Sequence, residues 1–117
     1  MDPYATHLPV IEALAPRMRR VLELGGGDYS TPAWLASESV KQVLCLEDDP
    51  SWAARLAQIG DNRLRVRPLE GAHLGEAAKG MDCVFVDCCA TASGRIEALR
   101  AVGTARPEGL IILHDWE

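Results

Sequence analysis

No apolar run in these 117 residues approaches the roughly twenty needed to cross a bilayer, and the first twenty residues lack the apolar core of a signal peptide. A cytoplasmic protein is the resulting expectation. Internal repeats and low-complexity tracts are absent. The four cysteines, Cys45, Cys83, Cys88 and Cys89, contain no C-x-x-C pair, and no matching ligand spacing surrounds the adjacent Cys88-Cys89. Reduced, structural thiols are therefore expected. Basic residues are outnumbered 12 to 17, for a net charge of -5, which argues against a generic nucleic-acid binder because phosphate neutralisation needs a concentrated basic face. Arg17, Arg19 and Arg20 read instead as a solvated helix end, and no aromatic cage or basic groove marks a protein or nucleic-acid substrate.

What the chain does have is 48% hydrophobic content, enough for the core of one domain spanning residues 1–117. Val10, Ile11, Leu14 and Met18 recur at helical spacing, which predicts an amphipathic helix within Pro3–Met18. Val21–Leu24 reads as the first strand, followed by a helix from Pro32 to about Ser39, with Thr31 as N-cap. Gln42–Leu46 is the second strand, and Asp49-Pro50 caps a helix with Trp52, Leu56 and Ile59 on one face and Gly60 as its stop. Arg63–Arg67 alternates three arginines with two aliphatics, the pattern of a half-exposed edge strand guarded by charge. A short helix over Leu74–Lys79, a buried strand at Cys83–Val86, a helix marked by Ile96, Leu99 and Val102, and a last strand at Leu110–Leu113 complete the pattern. Strands alternating with helices predict an α/β fold, a doubly wound (Rossmann-like), mostly parallel sheet of five strands with helices on both faces. In such sheets ligands sit beyond the carboxyl ends of the strands.

The most informative stretch is Glu23-Leu24-Gly25-Gly26-Gly27-Asp28-Tyr29-Ser30, where an apolar strand runs into three glycines ahead of a helix. Glycine there lets a ligand approach backbone N–H groups and permits a positive φ. Glu23 sharpens the signal, because a carboxylate inside a buried strand is costly unless something at the rim uses it. Glu47 lies 22 residues beyond Gly25, closing the next strand, where a carboxylate can accept both hydroxyl hydrogens of a ribose. A negative Glu23 repels a pyrophosphate but attracts an amino-acid ammonium, which favours S-adenosylmethionine over a nicotinamide dinucleotide.

With these motifs the chain resembles the class I S-adenosylmethionine-dependent methyltransferases. Glu23-Leu24-Gly25-Gly26-Gly27 resembles their first motif, Leu46-Glu47-Asp48-Asp49-Pro50 the acidic end of their second strand, and Val84-Phe85-Val86-Asp87 their fourth-strand motif. Arg106-Pro107-Glu108-Gly109, running through Leu110–Leu113 to His114 and Asp115, is similar to their turn and fifth strand, in the style of the small-molecule, often O-directed, branch. Tyr29, Cys88 and Glu108 stand where many relatives have glycine. The resemblance implies strand order 3-2-1-4-5. It implies that Glu23 holds the methionine amino group, Gly25 and Gly27 admit the ligand, Glu47 binds the ribose, Asp48 and Glu70 lie near the adenine, and Asp87 stands beside the sulfonium.

Asp87, His114 and Asp115 end neighbouring strands in that order, so they become the candidate catalytic group, with His114 as base because an imidazole titrates near working pH. A magnesium-dependent variant using Asp87, Asp115 and Glu117 is the secondary alternative, and Trp116 stands where such relatives place Asn. The expectation is methyl transfer to a small-molecule acceptor without nucleic acid or membrane. The rival is a non-catalytic methyltransferase-like binding module acting through self-association or a partner; a homo-oligomer joined along the apolar fifth strand is expected, and a monomeric mass in light scattering would count against that oligomer.

Overall fold

Strands that are apolar on both faces need cover on both sides, and the sheet supplies it. A computed structural model describes residues 8–25, 30–69, 73–86, 100 and 110–113. Helix α1 (Leu8–Leu14) and a 3-10 turn (Ala15–Arg17) lead into β1 (Arg20–Leu24), α2 (Ser30–Leu35), β2 (Gln42–Glu47), α3 (Pro50–Ala57), β3 (Leu64–Pro68), α4 (Leu74–Ala78), β4 (Cys83–Val86) and β5 (Leu110–Leu113). The order across the sheet is β3-β2-β1-β4-β5, with every pairing parallel. The order β3-β2-β1-β4 agrees with the one the family resemblance implies. The predicted helix around Ile96, Leu99 and Val102 falls outside the described residues except at Arg100, which is helical. No helix among the described residues is long and apolar enough to cross a membrane.

Alternation along each strand divides the core in two. Val21, Val43, Cys83 and Phe85 pack with Ile11 and Ala15 from the N-terminal helical segment and with Trp34 and Leu35 of α2. Leu22, Leu24, Leu46, Val84 and Val86 turn to the other face, where Ala78 and Met81 are buried with them and Leu74 and Ala77 of α4 pack alongside. Helices thus cover both faces of the sheet. Cys45 and Cys83 are buried free thiols, and burial, then the charges of Glu23 and Asp82, push the Cys83 thiol up to about 12. Such a thiol is a packing group. Cys88 and Cys89 lie outside the described residues.

Two local readings are corrected by the structure. The predicted run of three arginines on the face of one strand does not form, because β3 starts at Leu64 and Arg63 turns inward. Its guanidinium donates to the carbonyls of Leu35 (2.6 Å), Val40 (2.8 Å) and Ser37 (3.1 Å) and pairs with Asp61 at 2.7 Å. A cation among carbonyls at a helix C-terminus satisfies acceptors the helix cannot. This also ends α2 at Leu35, short of the predicted Ser39.

Arg63→Met is expected to lower stability by about 2 kcal/mol, since three carbonyls lose a charged donor. The side-chain hydrogen bonds from Arg63 hold the Asp61 carboxyl down to about 2. A carboxyl depressed in the folded state stabilises fully above its unfolded pKa, about 3.9, and loses that contribution as pH falls toward 2. Urea unfolding of wild type and Arg63→Met at neutral pH and at low pH checks this. The gap between them narrows in acid if the pair contributes, and an unchanged gap shows that it does not.

Candidate functional site

The turn after β1 begins as the glycine reading requires. Gly25 adopts φ +84°, a left-handed conformation that a side chain would strain, and its N–H donates to the Leu46 carbonyl at 2.8 Å. That bond ties the start of the glycine turn to the end of β2. On the other side of β2, the Leu69 N–H donates to the Glu47 carbonyl at 3.0 Å. The carboxyl ends of β1, β2 and β3 are therefore locked into one rim. Val86 of β4 is the register partner of both Leu24 and Leu113, which places the last residues of β4 and β5 in the same row.

Glu23 is fully buried, and its Oε1 accepts a 2.6 Å hydrogen bond from the Thr31 hydroxyl. The predicted capping role of Thr31 gives way to this bond: α2 starts two residues earlier than expected, at Ser30, and Thr31 lies inside it. Glu47 closes β2 as its final residue, as expected, and is only 7% exposed. Its Oε1 accepts from the backbone N–H groups of Asp48 and Asp49, both at 3.1 Å. A carboxylate with one oxygen so engaged is held in place, yet its two oxygens together offer about four acceptor sites. Asp48 is exposed at the rim. Asp49 caps α3 as expected: its Oδ1 accepts from Ser51 N at 2.9 Å and Trp52 N at 3.3 Å. Its carboxyl is lowered chiefly by the Ser51 hydroxyl.

Glu23 pairs in register with Cys45, and Glu47 lies two residues beyond Cys45 on the same strand. With side chains alternating every residue, Glu23 and Glu47 share the face covered by α2, their Cα atoms roughly 8 Å apart from one strand step and two residue rises. The two carboxylates thus flank the Gly25 turn on a common side. Such a constellation suits a ligand with a cationic group at one end and vicinal hydroxyls at the other. Gly27, Glu70, Asp87, His114 and Asp115, also expected in the site, lie outside the described residues, as does Glu117 of the magnesium alternative. Among the described residues, no group of three His, Cys, Asp or Glu side chains is placed to hold a metal ion. The participant that sequence reasoning missed is Thr31, whose signal, a hydroxyl eight residues beyond a strand carboxylate, looks the same as a capping residue before proline.

No protein-family model matches the sequence, and no curated protein matches it. Solved structures do match. The N-terminal domain of EvdMO1 with S-adenosylhomocysteine bound superposes with TM-score 0.68 at 20% identity, over 97% of this chain and 49% of that one. The mitomycin 7-O-methyltransferase MmcR gives TM-score 0.64 at 21% identity, over 97% of this chain and 38% of that one. Spermidine synthase from Thermotoga maritima gives 0.61 at 27% identity, over 92% and 40%. The chain thus spans half or less of the length of these three structures. The fold is shared by proteins with different reactions, so fold alone selects none. The chain has a Rossmann-like fold, shared with the S-adenosylhomocysteine-bound domain, the O-methyltransferase and the spermidine synthase.

Proposed function

We propose that this chain is the cofactor-binding core of an S-adenosylmethionine-dependent methyltransferase acting on a small-molecule acceptor. The observation that carries the reading is the placement of two buried carboxylates, Glu23 and Glu47, on one face at either side of the left-handed Gly25. A buried carboxylate such as Glu23 gains most from a cationic partner, and the ammonium of the methionine moiety is one. Glu47, steadied by the Asp48 and Asp49 amides, accepts the ribose hydroxyls. Gly25 and Gly27 keep the turn free of side chains, while Asp48 and Glu70 flank the adenine. The likeness to a domain with S-adenosylhomocysteine bound supports the same ligand here.

S-adenosylmethionine supplies an electrophilic methyl group on a sulfonium. The protein's task is to align an acceptor in line with that methyl group and to take the proton of an acceptor hydroxyl. Val86 and Leu113, which precede Asp87 and His114 in the sequence, are register partners at the carboxyl ends of β4 and β5, and this supports the reading. In this reading His114 takes the hydroxyl proton, Asp115 orients it, and Asp87 sits near the positive sulfonium. Self-association along β5 belongs to the same proposal, because β5 is the outermost strand among the described residues and reads Leu-Ile-Ile-Leu.

Calorimetric titration with S-adenosylhomocysteine, and with NAD as the competing ligand, tests the reading. Saturable binding of the first and none of the second is the expected result. NAD binding without S-adenosylhomocysteine binding would replace the methyl-donor reading with a dinucleotide one.

A further inference from the structure

We propose that Thr31 is a positioning residue, whose hydroxyl sets the orientation of the Glu23 carboxylate. The inference rests on the methyl-donor reading of the site and adds a residue to it. Glu23 is the residue before the last of β1 and Thr31 the second of α2, eight residues apart, and the bond between them ties strand to helix. Both residues have no exposed surface, so water does not compete for either group. At 2.6 Å the contact falls in the short range typical of a hydroxyl donating to a carboxylate.

A helical threonine has few side-chain rotamers, and here the neighbouring Trp34 and Leu35 anchor α2 in the core. The hydroxyl is thus delivered from a rigid support. Fixing one carboxylate oxygen this way leaves the orientation of the group determined before a ligand arrives. Preorganisation of that kind strengthens binding by removing an ordering cost. Thr31 touches neither donor nor acceptor in this scheme. It acts only through Glu23.

The test compares wild type, Thr31→Val and Thr31→Ser by calorimetry with S-adenosylhomocysteine and by thermal unfolding without ligand. Valine keeps the shape and removes the donor, so affinity is expected to fall by about tenfold to a hundredfold, while serine keeps the donor and restores most of it. Thr31→Val binding as tightly as wild type, or serine rescuing no better than valine, overturns the positioning role and leaves the methyl-donor reading standing. If Thr31→Val does not fold, Thr31→Ser decides. It must fold and bind close to wild type, and loss of folding or of binding overturns the proposal. A wild-type chain that binds no S-adenosylhomocysteine overturns both readings together.

Discussion

On the proposed assignment of Glu47 to the ribose, Glu47→Ala is expected to weaken binding of S-adenosylhomocysteine by roughly a hundredfold while leaving the chain folded, since two charge-assisted bonds to the hydroxyls would be lost. The side chain ends β2 and is nearly buried, and its oxygen already accepts from the Asp48 and Asp49 amides. Those amides sit beside exposed Asp48 and Asp49, where water can replace the lost acceptor, so the structural cost is small. Glu47→Gln separates the two roles. Its amide oxygen can still accept from the backbone, but the charge is gone, so a loss of about tenfold is expected with unchanged melting. Calorimetry on the three proteins reads the series. Equal affinity for wild type and Glu47→Ala would remove the ribose assignment, and with it the main support for a nucleoside ligand.

Trp34→Ala should remove a large share of the chain's stability. Trp34 is fully buried among Ile11, Ala15, Val21 and Phe85, and emptying a site of that size costs about 3–5 kcal/mol against a typical total of 5–15. Trp34→Phe should behave differently. The indole Nε1–H is buried with no acceptor among the described residues, so phenylalanine loses some packing but also removes a donor that has given up its water. The two terms oppose each other, and a net change within about 1.5 kcal/mol is expected from urea unfolding. A phenylalanine variant as unstable as the alanine one would mean that the indole nitrogen has a partner in the folded chain.

The strands were legible because burial on both faces leaves an unbroken apolar run, as in Cys83–Val86, whose four residues are all buried. Gly25 was legible because a left-handed turn after a strand nearly demands glycine, and Asp49 because a carboxylate before proline is a strong cap. Glu23 and Glu47 were found from charge in places where charge is expensive. Arg63 was misread since a period of two predicts which face a residue takes only if it belongs to the strand, and this one stands just before it. Its partners, Leu35, Ser37 and Val40, lie 23 to 28 residues away, beyond any local pattern. Thr31 was misread for a similar reason: capping is a local rule, and the bond to Glu23 is a tertiary one.

Strand β1 meets its two neighbours at very different chain separations. Leu24 lies opposite Leu46, 22 residues on, and opposite Val86, 62 residues on. Closing the longer span costs only about 1 kcal/mol more in chain entropy, too little to matter at equilibrium. Kinetics respond more strongly, because distant pairings raise contact order and slow the search. The half built from β1, β2 and β3 is thus expected to gather first, with β4 arriving on a sheet whose inner edge has stood open in the meantime. Pulsed hydrogen exchange during refolding would show β2 amides protected ahead of those in β4, and that interval is when the nascent chain is most exposed to pairing with the wrong molecule.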